Sequence, residues 1–194
     1  MGLMERRKGK RFERTCAEQL SQWIYRNANS LRPTPMSGGW SAMPLGDIQL
    51  SPVLKGEVKD FPFYVECRNR ESWRLEQLFN SLGPIRAWWD ETSAKAAEVK
   101  KCPLLIFTRN HCPSFAMFRM ADVIKAVESL ELPEEENLAK PVPMMTVPIA
   151  KIDNDIGQGV VVTEIVNVVL LDSFLEAFSF LQSGGFYDSG SPDA

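Results

Sequence analysis

The sequence predicts an α/β protein with a mixed sheet flanked by helices and an acidic C-terminal extension. Residues 62–67 form a short apolar strand, two helical segments follow it, and the apolar run 103–108 follows them. Strand, helices and strand make a crossover unit, whose two strands are expected to be parallel. Residues 114–119 come after a short loop and are expected to pair antiparallel with 103–108, which makes the sheet mixed.

The first element is predicted as a helix from about Gly9 to Arg26. Its apolar residues recur at three- and four-residue intervals and give one stripe: Phe12, Cys16, Leu20, Trp23 and Ile24. Cations crowd the expected entry of this helix: Arg6, Arg7, Lys8, Lys10 and Arg11. Cations at a helix N-terminus oppose the macrodipole, which favours phosphate groups as their partners.

A long segment, 31–46, is predicted as a loop. Pro33, Pro35 and Pro44 forbid a regular helix, and Gly38-Gly39 allows unusual backbone shapes. Loops of this length are usually functional or disordered. The position directly before Asp47 favours a functional loop.

The middle of the chain alternates strands and helices. Strands are predicted at 47–51 and 62–67. Ser72 is predicted to cap a helix that begins at Trp73, and Pro84 to begin a second helix of about 84–100. The run 103–108 lacks polar alternation, which is typical of a strand covered on both faces.

Three regions are expected along the chain. Residues 1–130 form the core, which ends with a helix near 121–130. Residues 131–182 form an extension packed on the core, with strands at 160–163 and 165–171 and a short helix that Asp172 caps. Residues 183–194 are rich in Gly, Ser and Asp and are expected to be a disordered tail.

The formal net charge of −3 hides a strong asymmetry. Residues 1–32 hold eight Lys and Arg against three Asp and Glu, whereas residues 120–194 hold three against thirteen. A basic front and an acidic rear indicate a polyanionic partner on one side of the molecule. The alternative explanation of the asymmetry is an ordinary basic terminus that contacts only solvent.

Composition also excludes several classes of protein. No early apolar run resembles a signal peptide, and no stretch has the length of a membrane span, so a cytoplasmic location is expected. The four cysteines lack CxxC spacing, so reduced and mostly buried thiols are expected rather than a zinc site or disulfides.

Chemistry-bearing residues gather around the strand 62–67. Side chains alternate along a strand, so Glu66 and Arg68 share one face while Val65 and Cys67 point to the other. An antiparallel neighbour could lay Asp47 beside Glu66, and a carboxylate pair next to a cation is a candidate metal site. The alternatives are a turn residue at Asp47 and a surface ion pair between Glu66 and Arg68.

The order of these features resembles the PD-(D/E)XK nuclease superfamily, and within it the archaeal-type Holliday junction resolvases, including versions carried by phages. The resemblance covers about residues 8–120 and implies a restriction-endonuclease-like α/β fold. The matching segments are short, and their order and spacing carry the likeness: Lys8–Arg14, Ser37–Gly39, Gly46–Ile48, Val65–Arg68 and Glu76–Gln77.

The resemblance implies a role for each matching residue. Glu13, Asp47 and Glu66 would hold one or two Mg²⁺ or Mn²⁺ ions, together with the carbonyl of Cys67. Arg68 stands where the family has a lysine. Ser37 would match a loop serine near the scissile phosphate, and Gln77 a glutamine on the following helix. DNA contacts are expected from basic and aromatic residues: Arg6, Arg7, Lys8, Lys10, Arg11, Arg32, Trp40 and Arg70.

The function implied is a metal-dependent DNA endonuclease that cuts four-way junctions in DNA recombination and repair. A homodimer is expected, because a junction must be cut symmetrically on two strands. The location implied is the cytoplasm of a bacterium or of a phage-infected host.

Two alternatives to a junction-cutting enzyme remain open, one concerning the DNA substrate and one concerning Arg68. One is a nuclease of the same fold that acts on other DNA, as in restriction, repair or phage DNA processing. The other is a DNA-binding protein that lost the chemistry through Arg68. Arginine cannot shed its proton as a buried lysine can. If the family lysine acts as a fixed charge instead, Arg68 can replace it.

Overall fold

The computed structural model describes residues 3–35, 46–79, 83–130, 143–153 and 160–178. In these ranges the helices are α1 (Leu3–Tyr25), α2 (Pro84–Glu98), α3 (Met120–Ser129) and α4 (Leu171–Ala177). The strands are β1 (Leu31–Pro33), β2 (Ile48–Leu50), β3 (Phe63–Asn69), β4 (Cys102–Thr108), β5 (Phe115–Phe118), β6 (Met145–Asp153) and β7 (Val160–Leu170). Short 3₁₀ turns lie at Pro52–Leu54 and Leu75–Leu78.

Five strands form one mixed sheet in the order β3-β4-β5-β7-β6, and β1 pairs with β2 beside it. Strands β3 and β4 are parallel, and β5 runs antiparallel to β4. The predicted crossover, hairpin and mixed sheet are confirmed. The molecule is an α/β protein with helices on both faces of the sheet, consistent with a restriction-endonuclease-like fold.

The central strands are buried on both faces, as the apolar run in β4 predicted. Leu104 and Ile106 pack in a cluster with residues of α1, α3 and α4. Leu105 and Phe107 point to the other face and pack with residues of α2. Val65 and Cys67 belong to the cluster that contains α1. Because side chains alternate along a strand, the residues between and after them on β3 point to the α2 face. Glu66 and Arg68 therefore share the face that α2 covers.

Helix α1 contains the predicted apolar stripe but begins earlier than predicted. Cys16, Leu20 and Trp23 are fully buried. Because the helix starts at Leu3, the five cations lie inside it, and the first turn carries Glu5. The expected crowding of cations at the helix entry is therefore wrong, and Glu5 suits the macrodipole.

The helix predicted from Trp73 is also wrong. In the described part of that segment the chain forms only the short 3₁₀ turn Leu75–Leu78. Trp73 is buried edge-on against Phe107 and Phe115, and its indole N–H donates to the Thr108 carbonyl oxygen at 3.2 Å. The next residue, Arg74, has an extended backbone (φ −138°, ψ 144°), so no helix runs from Trp73 into the turn.

The C-terminal region supplies strands of the same sheet. Strand β7 is continuous across Glu164, where two strands were predicted, and pairs with β5. Strand β6 was not predicted. It contains Pro148, whose missing N–H is tolerated because β6 lies at the sheet edge. The division of the chain at residue 130 stays a prediction, and the expected tail 183–194 lies outside the described residues.

The predicted loop 31–46 contains one short strand. Leu31–Pro33 forms β1 and pairs with Ile48–Leu50, so the loop begins later than predicted. Ser37 and Trp40, with the rest of 36–45, lie outside the described residues.

Candidate functional site

Asp47 lies against the free edge of β3. Its backbone N–H donates to the Val65 carbonyl oxygen at 2.7 Å, and its own carbonyl oxygen accepts from Thr34 N–H at 2.9 Å. The preceding residue, Gly46, has φ +68°, and a Cβ there would lie 2.8 Å from the Val65 oxygen. Only glycine permits this close approach. The sequence therefore brings Asp47 to β3 through Gly46.

The carboxylate of Asp47 is buried and oriented by the backbone of β3. Its Oδ2 accepts a hydrogen bond from the Cys67 N–H at 2.8 Å. Backbone N–H and C=O groups of one strand residue point to the same edge, so the Cys67 carbonyl lies on the Asp47 side of β3. The use of that carbonyl as a metal ligand stays a prediction.

Glu66 is hydrogen-bonded to Asp47 in the protein interior. The Glu66 side chain is only 7% exposed. Burial, and next the negative charge of Asp47, raise the pKa of Glu66 to about 8, and the hydrogen bond between the two side chains adds to the rise. Without a bound cation the pair therefore holds a proton at neutral pH. The two acids meet as predicted, but not through the expected strand pairing: β2 pairs with β1, and Asp47 reaches β3 from just before β2.

Arg68 supplies the positive charge beside the acid pair. Its Nη1 lies 2.5 Å from Oε1 of Glu66, and its Nη2 lies 3.1 Å from Oε2 of Glu91 on α2. The positive charge of Arg68 lowers the Glu66 pKa, and so does that of Lys95, which lies on α2. Burial and the charge of Asp47 outweigh both effects. The arginine thus lies where β3 faces α2 and bridges the two elements.

Glu13 approaches the acid pair from α1. It is half-buried, and burial, followed by the negative charge of Asp47, raises its pKa, whereas Lys10 and Arg68 lower it. Within the ranges that the structure describes, no group of three or more His, Cys, Asp or Glu side chains is arranged to hold a metal ion. The three-carboxylate ligand set of Glu13, Asp47 and Glu66 therefore stays a prediction.

The donor chemistry of the Asp47–Glu66 pair fits a divalent cation. Glu66 retains its proton because burial disfavours its ionised form and because two ionised carboxylates would repel each other. A hard divalent ion would replace that proton. Magnesium typically binds one or two carboxylates, retains several waters and takes further oxygens from substrate phosphates, so two protein carboxylates are sufficient.

Gln77 has a structural explanation. Its Oε1 accepts the Arg74 backbone N–H at 2.9 Å and so caps the 3₁₀ turn. A Cβ on Gly83 would lie 2.5 Å from the same oxygen. The catalytic role expected for Gln77 stays a prediction.

The predicted DNA-binding cations lie mostly on the surface of α1. Arg6, Arg7, Lys10 and Arg11 are exposed, as is Arg32 on β1. Lys8 is paired with Glu71, which also accepts the Asn110 backbone N–H at 3.1 Å. Arg70 follows β3 directly, and its N–H donates to the Thr108 carbonyl oxygen at 3.1 Å. Contact of these residues with DNA stays a prediction.

The four cysteines differ in burial, and Cys102 and Cys112 are only partly buried. All four cysteines are free, and Cys16 and Cys67 are buried. A hydrogen bond with the Cys16 thiol, followed by burial, raises the pKa of the Cys67 thiol well above its usual value.

Two residues of this site, Glu91 and Lys95, were missed by the sequence reasoning. The four-residue spacing between them is ordinary for an exposed ion pair on a helix. Nothing in that spacing indicates that Glu91 faces Arg68.

None of the helices in the described ranges is long and apolar enough to cross a membrane.

Comparison with known protein families gives a match over most of the chain. The model of a family described as "Phage putative PDDEXK endonuclease" matches residues 4–170. No curated protein matches the chain. No solved structure matches it either.

Proposed function

This chain belongs to that family of PDDEXK endonucleases, and we propose that it hydrolyses DNA with a divalent metal ion at Asp47 and Glu66. The observation that carries the proposal is the buried, hydrogen-bonded acid pair with Arg68 beside it. PD-(D/E)XK nucleases typically use divalent metals, and the pair offers the carboxylate oxygens that such ions prefer.

Asp47 and Glu66 would hold the ion, with Glu13 and the Cys67 carbonyl as further candidates. Mg²⁺ or Mn²⁺ at this position would lower the pKa of a bound water and stabilise negative charge on the phosphate. The Cys67 N–H holds one oxygen of Asp47, and Arg68 holds one oxygen of Glu66. These contacts fix both carboxylates before substrate arrives.

Arg68 would act as a fixed positive charge. Arginine is protonated at any pH of interest, so it does not accept a proton from the attacking water. It can orient Glu66 and stabilise charge that develops on the phosphate. Chemistry of this kind tolerates arginine in place of lysine, because no proton leaves the residue.

The preferred substrate that we propose is branched DNA such as the four-way junction, cut by a homodimer. Its support is the order of motifs that resembles junction resolvases, together with the exposed cations of α1, which suit phosphate contacts. A gel-shift series with a four-way junction, a flap and a linear duplex tests this preference. Equal affinity for all three would contradict it.

A cleavage assay in Mg²⁺ or Mn²⁺ tests the site itself. Wild type is expected to cut, whereas Glu66→Ala and Asp47→Ala are expected to lose at least about a hundredfold in rate. Arg68→Lys retains the charge and is expected to stay active, whereas Arg68→Ala is not. Glu98→Ala, at the exposed end of α2, is the control for an unrelated lost carboxylate. Cleavage that survives Glu66→Ala would refute the proposed site.

A further inference from the structure

We propose that Glu91 is a positioning residue that fixes the direction of the Arg68 guanidinium at the acid pair. This proposal rests on the proposed function where activity is concerned. It concerns a contact between α2 and β3 that none of the sequence motifs contains.

Arg68 is held by two carboxylates, one at each terminal nitrogen of its guanidinium. Nη1 pairs with Oε1 of Glu66 at 2.5 Å, and Nη2 pairs with Oε2 of Glu91 at 3.1 Å. The arginine side chain is 24% exposed. One planar fork thus spans β3 and α2, and its plane is determined by both acceptors.

Glu91 is itself anchored on α2. Its second oxygen, Oε1, accepts from Nζ of Lys95 at 2.6 Å, one helical turn further along. The backbone of α2 is held against the sheet by Ile85 and Trp89, which are buried. With both oxygens engaged and its helix packed, Glu91 presents a fixed acceptor although its side chain is 43% exposed.

The second acceptor has a chemical consequence for the acid pair. Without Glu91, the guanidinium could turn and bind both oxygens of Glu66 as a bidentate pair. Both Glu66 oxygens would then be occupied, and neither would be available to a cation. By taking Nη2, Glu91 leaves Arg68 in contact with a single Glu66 oxygen.

Arginine needs this restraint, and lysine does not. A lysine at position 68 would carry one compact ammonium group, which has no planar fork to orient. It would not bridge both acids in the same geometry. Arg68 and Glu91 therefore act as a unit, and the contribution of Glu91 should vanish when residue 68 is lysine.

The first test observes the guanidinium directly, in metal-free protein and without DNA. Nitrogen NMR of wild type is expected to show separate, slowly rotating Nη signals for Arg68. In Glu91→Gln these signals are expected to average, whereas Glu98→Gln, two turns along the same helix, retains them. Averaged signals in wild type, or separate signals in Glu91→Gln, would overturn the proposal.

The second test is a double-mutant cycle of DNA cleavage. Glu91→Gln is expected to lower kcat about tenfold with KM for DNA unchanged, because Glu91 orients Arg68 rather than binding substrate. In the Arg68→Lys background the same change is expected to cost less than about twofold. Equal losses in both backgrounds would show a merely structural role for Glu91.

The outcomes separate this inference from the proposed function. If Glu66→Ala still cleaves DNA, the proposed function fails, and the NMR result decides the positioning claim alone. If Glu66→Ala is inactive while Glu91→Gln is fully active, only the positioning claim fails.

Discussion

The backbone N–H of Cys67 donates to Oδ2 of Asp47 at 2.8 Å, which joins two segments that are far apart in the sequence. The same strand edge binds the backbone of Asp47 through Val65. Asp47 is therefore placed by β3 itself, the strand that also carries Glu66. This arrangement makes the geometry of the acid pair depend on how closely the chain at Gly46 can approach β3.

Gly46→Ala is expected to damage the site more than the fold. The added Cβ would lie 2.8 Å from the Val65 oxygen in a backbone conformation with φ +68°. We expect a loss of about 1–3 kcal/mol in the free energy of unfolding and at least a tenfold loss of cleavage. Urea unfolding and a cleavage assay measure the two effects.

Gly56→Ala is the matched control for that substitution. Gly56 also has a positive φ, of +87°, but a Cβ there meets nothing within 4 Å. Gly56→Ala should therefore lower the free energy of unfolding through backbone strain alone, and the variant should still cleave DNA. Equal loss of cleavage in both variants would show that strain, rather than the approach to β3, matters.

The stability of the metal-free protein is expected to fall as pH rises from about 5 to about 8. Glu66 has its pKa raised from 4.5 to about 8 by burial and by Asp47. In this window the folded protein binds a proton that the unfolded chain has released, so raising the pH favours unfolding. The fall from this group is on the order of 4 kcal/mol and should level off above about pH 9.

Glu66→Gln isolates this effect, since glutamine retains a hydrogen-bond donor without titrating. Urea unfolding in a chelator, at several pH values, should give a weaker pH dependence for the variant than for wild type. Parallel curves would mean that Glu66 is ionised in the folded protein throughout this range.

DNA binding is expected to depend on salt through the exposed cations of α1. Each phosphate contact contributes about 0.9 to the slope of log affinity against log salt concentration. Arg11→Gln should lower the magnitude of that slope by about 0.9, the value of one phosphate contact, because Arg11 is exposed. Lys8→Gln should lower it less, because Glu71 already pairs with Lys8. Fluorescence anisotropy across a salt series measures the slopes.

Lys125→Gln controls for the loss of one positive charge. Lys125 is exposed on α3 and lies near Cys102, the first residue of β4, whereas Glu66 pairs with Leu105 in the middle of that strand. The salt-dependence slope of Lys125→Gln should equal that of wild type. A slope reduced as much as in Arg11→Gln would indicate a non-specific charge effect rather than a DNA surface on α1.

Much of the fold could be predicted because local patterns determine it. The crossover from β3 to β4 follows from two apolar strands separated by helical segments, and the alternation in β3 places Glu66 and Arg68 on one face. Strand β6 could not be predicted, because the sequence does not show that Pro148 lies at a sheet edge. The helix expected from Trp73 does not form, since the backbone at Arg74 is extended.

Some features of the candidate site could also be predicted from the sequence, and others could not. The meeting of Asp47 with Glu66 was predicted, but through an antiparallel pairing of two strands. In the structure β2 pairs with β1 instead, and Asp47 reaches β3 through Gly46. The contact of Arg68 with Glu91 was not, because it joins elements whose relative position depends on the packing of α2 against β4. Whether Glu13 completes a ligand set depends on how α1 lies beside β3, which periodicity does not determine.

The most direct test of the metal site is the binding of Mn²⁺ by calorimetry at pH 7, in buffers of different ionisation enthalpy. Because the acid pair holds a proton at this pH, wild type should bind Mn²⁺ and release about one proton per ion. Glu66→Gln and Asp47→Asn should bind it far more weakly, and Glu98→Gln should bind it as wild type does. Binding of equal affinity in wild type and Glu66→Gln, or no binding at all, would contradict a metal site at Asp47 and Glu66.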